Sequence, residues 1–503
     1  MVKSYKPIIA NPNTNSYIKM EKVWQFINDT LYRFRGCFSR QATFNWFAVA
    51  VIGLMIRIDS LGVTSISRVT GLGDDKQYEY LIHFFHSEAY ELMKLKNTFI
   101  QEVKDSGSIY RGFGRPVLIG DDVKESKTGK KMPGVKKLYQ ETGNSKTQRY
   151  IWGHFFGCNG VVVGDENKQF LLPVSMAIHD GIRPILEWQD SEYAKDSIVT
   201  RMIKEAYKTA VQLKEQSYLI LDRYFMTGPA LETLYEEASC VQIKLVDVIT
   251  RAKMGYVVYE KQPGSENGVG RAKPGKSWNF YELFKTQKFT AKEIEIYGQK
   301  KKVKYSCVDM LWGKDLFQEL RFILVDIDGS YSIIVSTNLN LDPETIIKLY
   351  SIRFKIETCF RALKNSLDGF GYHFWNSRMP TIDRYWSAKE TEEKLSKITD
   401  PKDRESIINT YNATETFVNL NCIAMGLLQL SALRFTDEIN ASPIRWLRTY
   451  TNTVPSEEST ACALYENFCR MFQMWPQLGI FKIIDTKRLE IQKQRNINIQ
   501  KTA

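Results

Sequence analysis

Two short apolar runs that each end in aspartate constrain this chain more than anything else in it. Residues 115–122 read RPVLIGDD and residues 217–222 read SYLILD. An unbroken apolar run of this length, without polar alternation, is a strand buried on both faces, so a sheet covered by helices is expected. Between the two runs, RYIWGHFFGC (149–158), 161–163 and QFLLPVSMAI (169–178) alternate with a Gly164-Asp165 turn, the pattern of an antiparallel meander. Val199, Ile203, Ala206, Ala210 and Leu213 recur at helical spacing, which predicts an amphipathic helix over 196–215. A second helix over 229–237 follows Asp222. Three strands, a helix, a strand and a helix make an α/β domain with carboxylates at its strand ends.

The flanking regions read differently. Residues 1–110 are expected to be helical. Within them 64–87 has the outline of a helix-turn-helix: Thr64 or Ser65 as a cap, a turn at Gly71-Leu72-Gly73, then Asp74 or Asp75 capping a second helix. Two core helices of a bundle would show the same outline. Residues 241–340 are strand-like with Gly-rich and Lys-rich connections, which predicts an all-β insertion. Pro343 opens a long helix running to Leu367. These readings divide the chain into a helical region (1–110), an α/β core (111–240 and 341–435), the β insertion (241–340) and a helical C-terminal region (436–503).

Charge narrows the partner. The 503 residues hold 69 Lys and Arg against 57 Asp and Glu, a net charge of +12. Such an excess favours a polyanion, nucleic acid before membrane. The longest apolar runs, 44–56 and 422–430, fall short of the ~20 residues of a membrane span. The first residues, MVKSYKPIIANPNTNSY, lack the apolar centre of a secretory signal, so a cytoplasmic location is expected. The eight cysteines are dispersed without a Cys-x-x-Cys pair, and the five histidines share no zinc spacing with them. A metal, if required, must be held by carboxylates.

Tyr350, Arg353, Glu357 and Lys364 supply the strongest local signal. At helical pitch they fall within a stripe about 60° wide, a phenol, a guanidinium, a carboxylate and an ammonium on one face. Cations flanking a carboxylate suit a place where metal-bound phosphate is cradled. A solvated face with Arg353 paired to Glu357 at i, i+4 has the same spacing.

This stripe resembles the Tyr-Arg-Glu-Lys signature of bacterial insertion-sequence transposases of the cut-and-paste, hairpin-forming DDE class, which have an RNase H-like core. The context agrees. The family's first aspartate lies in a stretch similar to Asp-Asp-Thr-x-x-x-Lys-x-Gly, and here Asp121-Asp122-Val123 precedes Lys127 and Gly129. Its second ends a core strand, as Asp222 does, and a β insertion separates that aspartate from the glutamate. The resemblance covers about 115–375. It implies an α/β RNase H-like core in which Asp122, Asp222 and Glu357 are catalytic and hold two Mg²⁺ or Mn²⁺ ions about 4 Å apart. Asp122 is preferred to Asp121 on motif alignment alone. The resemblance further implies that Tyr350, Arg353 and Lys364 contact phosphates near the cut. The partners it implies are double-stranded DNA, as transposon terminal repeats and target, and a second copy of the chain on that DNA.

Three features stand outside the signature. The segment 270–277, GRAKPGKS, satisfies the P-loop pattern, but a polar loop precedes it and no clear helix cap follows, so an ATPase is the weaker alternative. Lys276 reads instead as part of a basic loop against DNA. Lys127 and Lys130, in the basic run 124–137, are further candidate phosphate contacts. Trp278 and Trp312 are the tryptophans of the insertion that could stack on a flipped base, and Trp312 is carried among the DNA-binding candidates. A DNA-binding protein derived from a transposase, without cleavage, is the other alternative.

Overall fold

The computed structural model describes residues 14–73, 75–140, 149–262, 274–296, 298–383, 385–442 and 453–502. Five helices come first: α1 (Thr14–Arg33), α2 (Gln41–Ile56), α3 (Val63–Val69), α4 (Asp75–Phe85) and α5 (Leu92–Asp105). From Phe44 to Ile56, α2 is buried at all but one position, as its composition demands of a helix apolar all round. α3 crosses it closely at Gly53, where a Cβ would lie 2.6 Å from Ile66 Cγ2. The α3–α4 pair keeps the helix-turn-helix outline, with Gly71 at φ +71° in the turn. The expected caps differ. Gly62 precedes α3, and the buried Ser65 lies inside it, its Oγ accepting from the Leu61 amide at 2.8 Å. Asp74 lies outside the described residues.

The α/β part follows: β1 (Arg111–Gly112), β2 (Arg115–Ser126), β3 (Lys136–Tyr139), β4 (Tyr150–Gly164), β5 (Gln169–Ile178), α6 (Arg183–Trp188), α7 (Ile198–Leu213), β6 (Ser217–Ile220), α8 (Gly228–Val241) and β7 (Val246–Arg251). β4 runs antiparallel to β2 and β5, whereas β6 and β7 run parallel to β2. The resulting order, β5-β4-β2-β6-β7, fits the RNase H-like core that the resemblance implies. β2 does not stop at its aspartates. It continues four residues further, to Ser126 opposite Gly153, because the meander partner β4 is long enough to pair it.

The remaining strands are β8 (Val257–Lys261), β9 (Pro274–Asn279), β10 (Thr290–Ile296), β11 (Gln299–Trp312), β12 (Gln318–Ile327) and β13 (Ser330–Ser336). β13 pairs antiparallel with β7, so this segment prolongs the core sheet. It also has a hydrophobic cluster of its own around Val258, Phe280, Trp312, Leu320 and Phe322. Two sequence expectations are corrected. The segment contains a helix, α9 (Phe280–Thr286), with Asn279 as its cap: Asn279 Oδ1 accepts from the Glu282 amide at 2.9 Å. The boundary expected at 240 falls inside α8, and β7 beyond it belongs to the parallel core.

The helix expected from Pro343 to Leu367 is broken. α10 (Pro343–Ser351) gives way to a 3₁₀ turn at Ile352–Phe354, then α11 (Lys355–Arg361), then a π turn at Ala362–Ser366. Such departures within a helix recur at functional sites. After α12 (Ala388–Ser396) comes α13 (Pro401–Arg434), the central helix of the molecule. It is long and apolar enough to cross a membrane, but 94% of its apolar window is buried within the protein, against β5 and α2 among others. α14 (Thr436–Asn440), α15 (Glu457–Met474) and α16 (Gly479–Thr502) complete the described chain. They close on the first helices: Trp24 packs against Phe468 and Phe481, and the Asn28 side chain accepts from the Ile480 amide at 3.1 Å.

Candidate active site

β2 and β6 set the site. Val117, Leu118 and Ile119 pair in parallel with Tyr218, Leu219 and Ile220. Two residues further along that register, Asp121 comes beside Asp222. Strand alternation then sends the two adjacent aspartates to opposite faces. Asp121 shares its face with Cys158, its cross-strand partner, which lies near Cys359 of α11 and Cys422 of α13. Asp122 shares the other face with Gly120, which abuts Met202 of α7. Its cross-strand partner there is Gly157. The imidazole of His179 lies directly over that glycine, where a Cβ would come within 2.0 Å of the ring.

Arg353 decides which aspartate meets the helix that carries the glutamate. Its Nη1 donates to Asp121 Oδ2 at 2.8 Å and its Nη2 to Glu357 Oε1 at 3.1 Å. Burial opposes the guanidinium charge, yet Asp121, Tyr350, Asp222 and Glu357 together raise its pKa. Asp121 is itself raised, by burial and by the charge of Asp222, with Arg353 opposing. Asp122 is pushed up to about 7 by burial and then by Asp121, with Asp222 adding to it. Carboxylates crowd here until they repel one another.

Of the predicted site residues, Asp222 and Glu357 join this cluster, together with Arg353. Asp122 is adjacent but on the other face of β2, and Asp121 is the aspartate that meets Arg353. The other two stripe residues stay near the site but take different partners. Tyr350 is 8% exposed, and Lys364 Nζ turns to the Lys124 carbonyl at 2.8 Å and to Glu125 at 3.1 Å. Lys127 turns inward: its ammonium donates to the Phe370 and Tyr372 carbonyls, 3.8 Å above the Tyr372 ring, and burial brings it down to about 8. It is an anchor for the chain after α11, not an open phosphate contact. Lys130 is exposed.

Lys276 is exposed on β9 with its ammonium 3.8 Å from the Trp278 ring. The helix after it opens at Phe280, four residues beyond the lysine, so the strand-loop-helix frame of a P-loop is absent at Lys276-Ser277. Residues 263–273 lie outside the described chain. Trp312, 9% exposed, packs against Tyr256, so its ring is core and not a platform. In the basic run at 300–304, Lys300 and Lys302 lie opposite Glu295 and Glu293 in the strand register, and Lys304 pairs with Asp326 at 3.8 Å.

Sequence reasoning passed over Asp121 as the partner of Arg353. Alternation along β2 was the available signal, but it needs the face on which α11 packs. It also passed over Tyr224, an exposed phenol after Asp222, whose pKa is raised by burial and by nearby Asp122.

Two family models match the chain in succession: DDE superfamily endonuclease over residues 33–152, and transposase DDE domain over residues 166–374. The chain carries a DDE transposase domain and is a DNA transposase. A search of curated proteins gives no match. The first match spans Asp121 and Asp122, and the second spans Asp222, Arg353, Glu357 and Lys364. This transposase is accordingly a metal-dependent DNA endonuclease with DNA as its partner and divalent cations as its cofactor. Its DDE domains imply an RNase H-like core, and a transposase, not an ATPase or a DNA-binding derivative, is the reading they favour.

Proposed function

We propose that Asp121, Asp222 and Glu357 are the three carboxylates with which the transposase cuts its element's terminal repeats and joins the ends to target DNA. The supporting observation is the convergence on Arg353 of Asp121 and Glu357, with Asp222 adjacent. The donors are hard oxygens from neighbouring elements, and their mutual repulsion is what a divalent cation relieves, so Mg²⁺ or Mn²⁺ fits. Held by these carboxylates, such ions would supply activation of the attacking oxygen and stabilisation of the leaving one. The chain's own groups do the rest. The fork of Arg353 is shaped to grip a phosphate. Lys364, on the same side, adds charge beside the β2 backbone. Asp122, which the motif alignment favours as first ligand, lies on the α7 face near Tyr224 and tunes the field of the site.

The Tyr350-Arg353-Glu357-Lys364 spacing supports membership of the hairpin-forming insertion-sequence class. On that reading the β8–β13 segment is the insertion that splits the core. Residues 1–110 then supply a DNA reader built on α3 and α4, and a homodimer forms on DNA because two ends must be synapsed. Lys130 and Lys276 contact backbone phosphates. Trp278, half-buried, is the better placed of the two tryptophans to meet a flipped base. The protein acts in the cytoplasm of a bacterial cell, on its nucleoid.

The test is nicking of a plasmid bearing the ends that flank the gene, in Mg²⁺, Mn²⁺, Ca²⁺ or EDTA, with Asp121→Asn, Asp122→Asn, Asp222→Asn and Glu357→Gln. Loss of cleavage in Asp121→Asn, Asp222→Asn and Glu357→Gln, with DNA binding retained, supports the assignment. Cleavage that survives them places the active site elsewhere. Tight binding without any cleavage points to a DNA-binding derivative.

A further inference from the structure

We infer that Arg353 is an exchangeable counter-ion that holds the carboxylate site closed to metal until a DNA phosphate draws it away. The inference rests on the carboxylate assignment proposed above and adds a coupling to it. The guanidinium spans Asp121 at 2.8 Å and Glu357 at 3.1 Å, so one fork occupies an oxygen of each carboxylate that a cation would use. Among the described residues, no group of three His, Cys, Asp or Glu side chains stands in ready metal-binding geometry. Asp121 and Glu357 are aimed at nitrogen.

The geometry makes the contact releasable. Arg353 sits on the 3₁₀ turn between α10 and α11, and its side chain keeps 19% of its surface, whereas Glu357 keeps 59%. The arm to Glu357 is of the exposed kind that is weak individually, while Asp121 keeps 22% of its side-chain surface. A phosphodiester offers the same fork two oxygens and a full charge, a partner arginine takes in bidentate fashion. Arg353 would turn toward the strand, and the freed carboxylates would then take the cation. By linkage, DNA raises metal affinity and metal raises DNA affinity by the same factor. The DNA-free protein is thereby kept from loading metal.

The experiment is Mn²⁺ binding followed by electron paramagnetic resonance of the free ion, using full-length protein without DNA. Thermal melting is recorded beside it to confirm folding. Arg353→Gln is expected to bind Mn²⁺ about tenfold more tightly than the parent, within the usual range for coupled sites. Arg353→Lys, which keeps the charge but loses the fork, should fall between them. Adding a short DNA duplex at low salt should tighten Mn²⁺ binding in the parent and leave Arg353→Gln unchanged. Equal or weaker binding by Arg353→Gln would overturn the inference, since Arg353 would then position the carboxylates instead of competing for them. A separate arm adds Glu357→Gln and Asp222→Asn to Arg353→Gln. If Mn²⁺ binding persists there, the carboxylate assignment fails, a result distinguishable from failure of the counter-ion role.

Discussion

Arg353 reaches across 232 positions of sequence to meet Asp121 at 2.8 Å, and this contact ties the strand carrying the first aspartates to the helix carrying Glu357. It also separates two adjacent aspartates that differ little in sequence. Asp121→Asn should abolish metal-dependent nicking, by at least about 10³-fold, as loss of a group acting at the reacting centre does. Asp122→Asn, facing α7, should retain measurable activity. Nicking by both variants on one plasmid preparation checks this, and equal loss in both would assign the site to the pair.

The two tryptophans of the β8–β13 segment should part company. Trp312→Ala empties a core position and should cost about 3–5 kcal/mol of stability. Trp278→Ala should melt close to the parent, because the ring is half-buried and held by Glu260 through its Nε1 at 2.7 Å. If Trp278 stacks on a base, its loss weakens end-DNA binding by about 1–3 kcal/mol. Melting curves and end-DNA titrations on the two variants decide it.

Lys276→Ala should leave ATP binding undetectable, as in the parent. It should also lower the salt slope of DNA affinity by about one phosphate equivalent. For the parent, if about six phosphates are neutralised, non-specific affinity should fall ~10³-fold between 50 and 200 mM salt. Titrations at several salt concentrations measure both. Nucleotide binding that requires Lys276 would restore the P-loop reading.

His154 makes stability depend on acid. It is fully enclosed; Nε2 donates to the Pro133 carbonyl at 2.8 Å, and Nδ1 accepts from the Tyr372 hydroxyl at 2.5 Å. Burial, with the charge of Lys127, lowers its pKa to about 3. The unfolded chain binds a proton near pH 6.5 and the folded one resists it, so the stability is present above pH 6.5 and lost as pH falls toward 3. By pH 5 the loss should be about 2 kcal/mol. His154→Gln should be less stable at pH 7 but flatter between pH 7 and 5, which denaturant melts at each pH would show.

The strands were legible because Val117 to Ile119 and Tyr218 to Leu221 are short runs apolar on both faces, bounded by polar and turn residues, as a covered sheet requires. Asp222 was singled out from its place at a strand end and Glu357 from a helical stripe, and both lie by Arg353. What could not be seen was orientation. The side of the sheet that Asp121 faces depends on where α11 packs, the inward turn of Lys127 depends on carbonyls more than 240 residues away, and the partner of Lys364 is a β2 carbonyl 240 positions away. Trp312 was misjudged because an aromatic in a strand reads alike whether its ring is core or platform. The cap of α9 was missed in Asn279, an ordinary cap residue hidden by a strand-like run.

The joining of Asn28 to Ile480 has a consequence for how the protein is made. On a ribosome adding about 5–20 residues per second, the 452 positions between them take about 20–90 s to synthesise. Through nearly all of that interval the face of α1 around Trp24 lacks Phe468 and Phe481, the rings that pack on it. The polypeptide is therefore obliged to complete its first helical layer last, and a nascent chain cut short of α16 leaves the ribosome with that layer open.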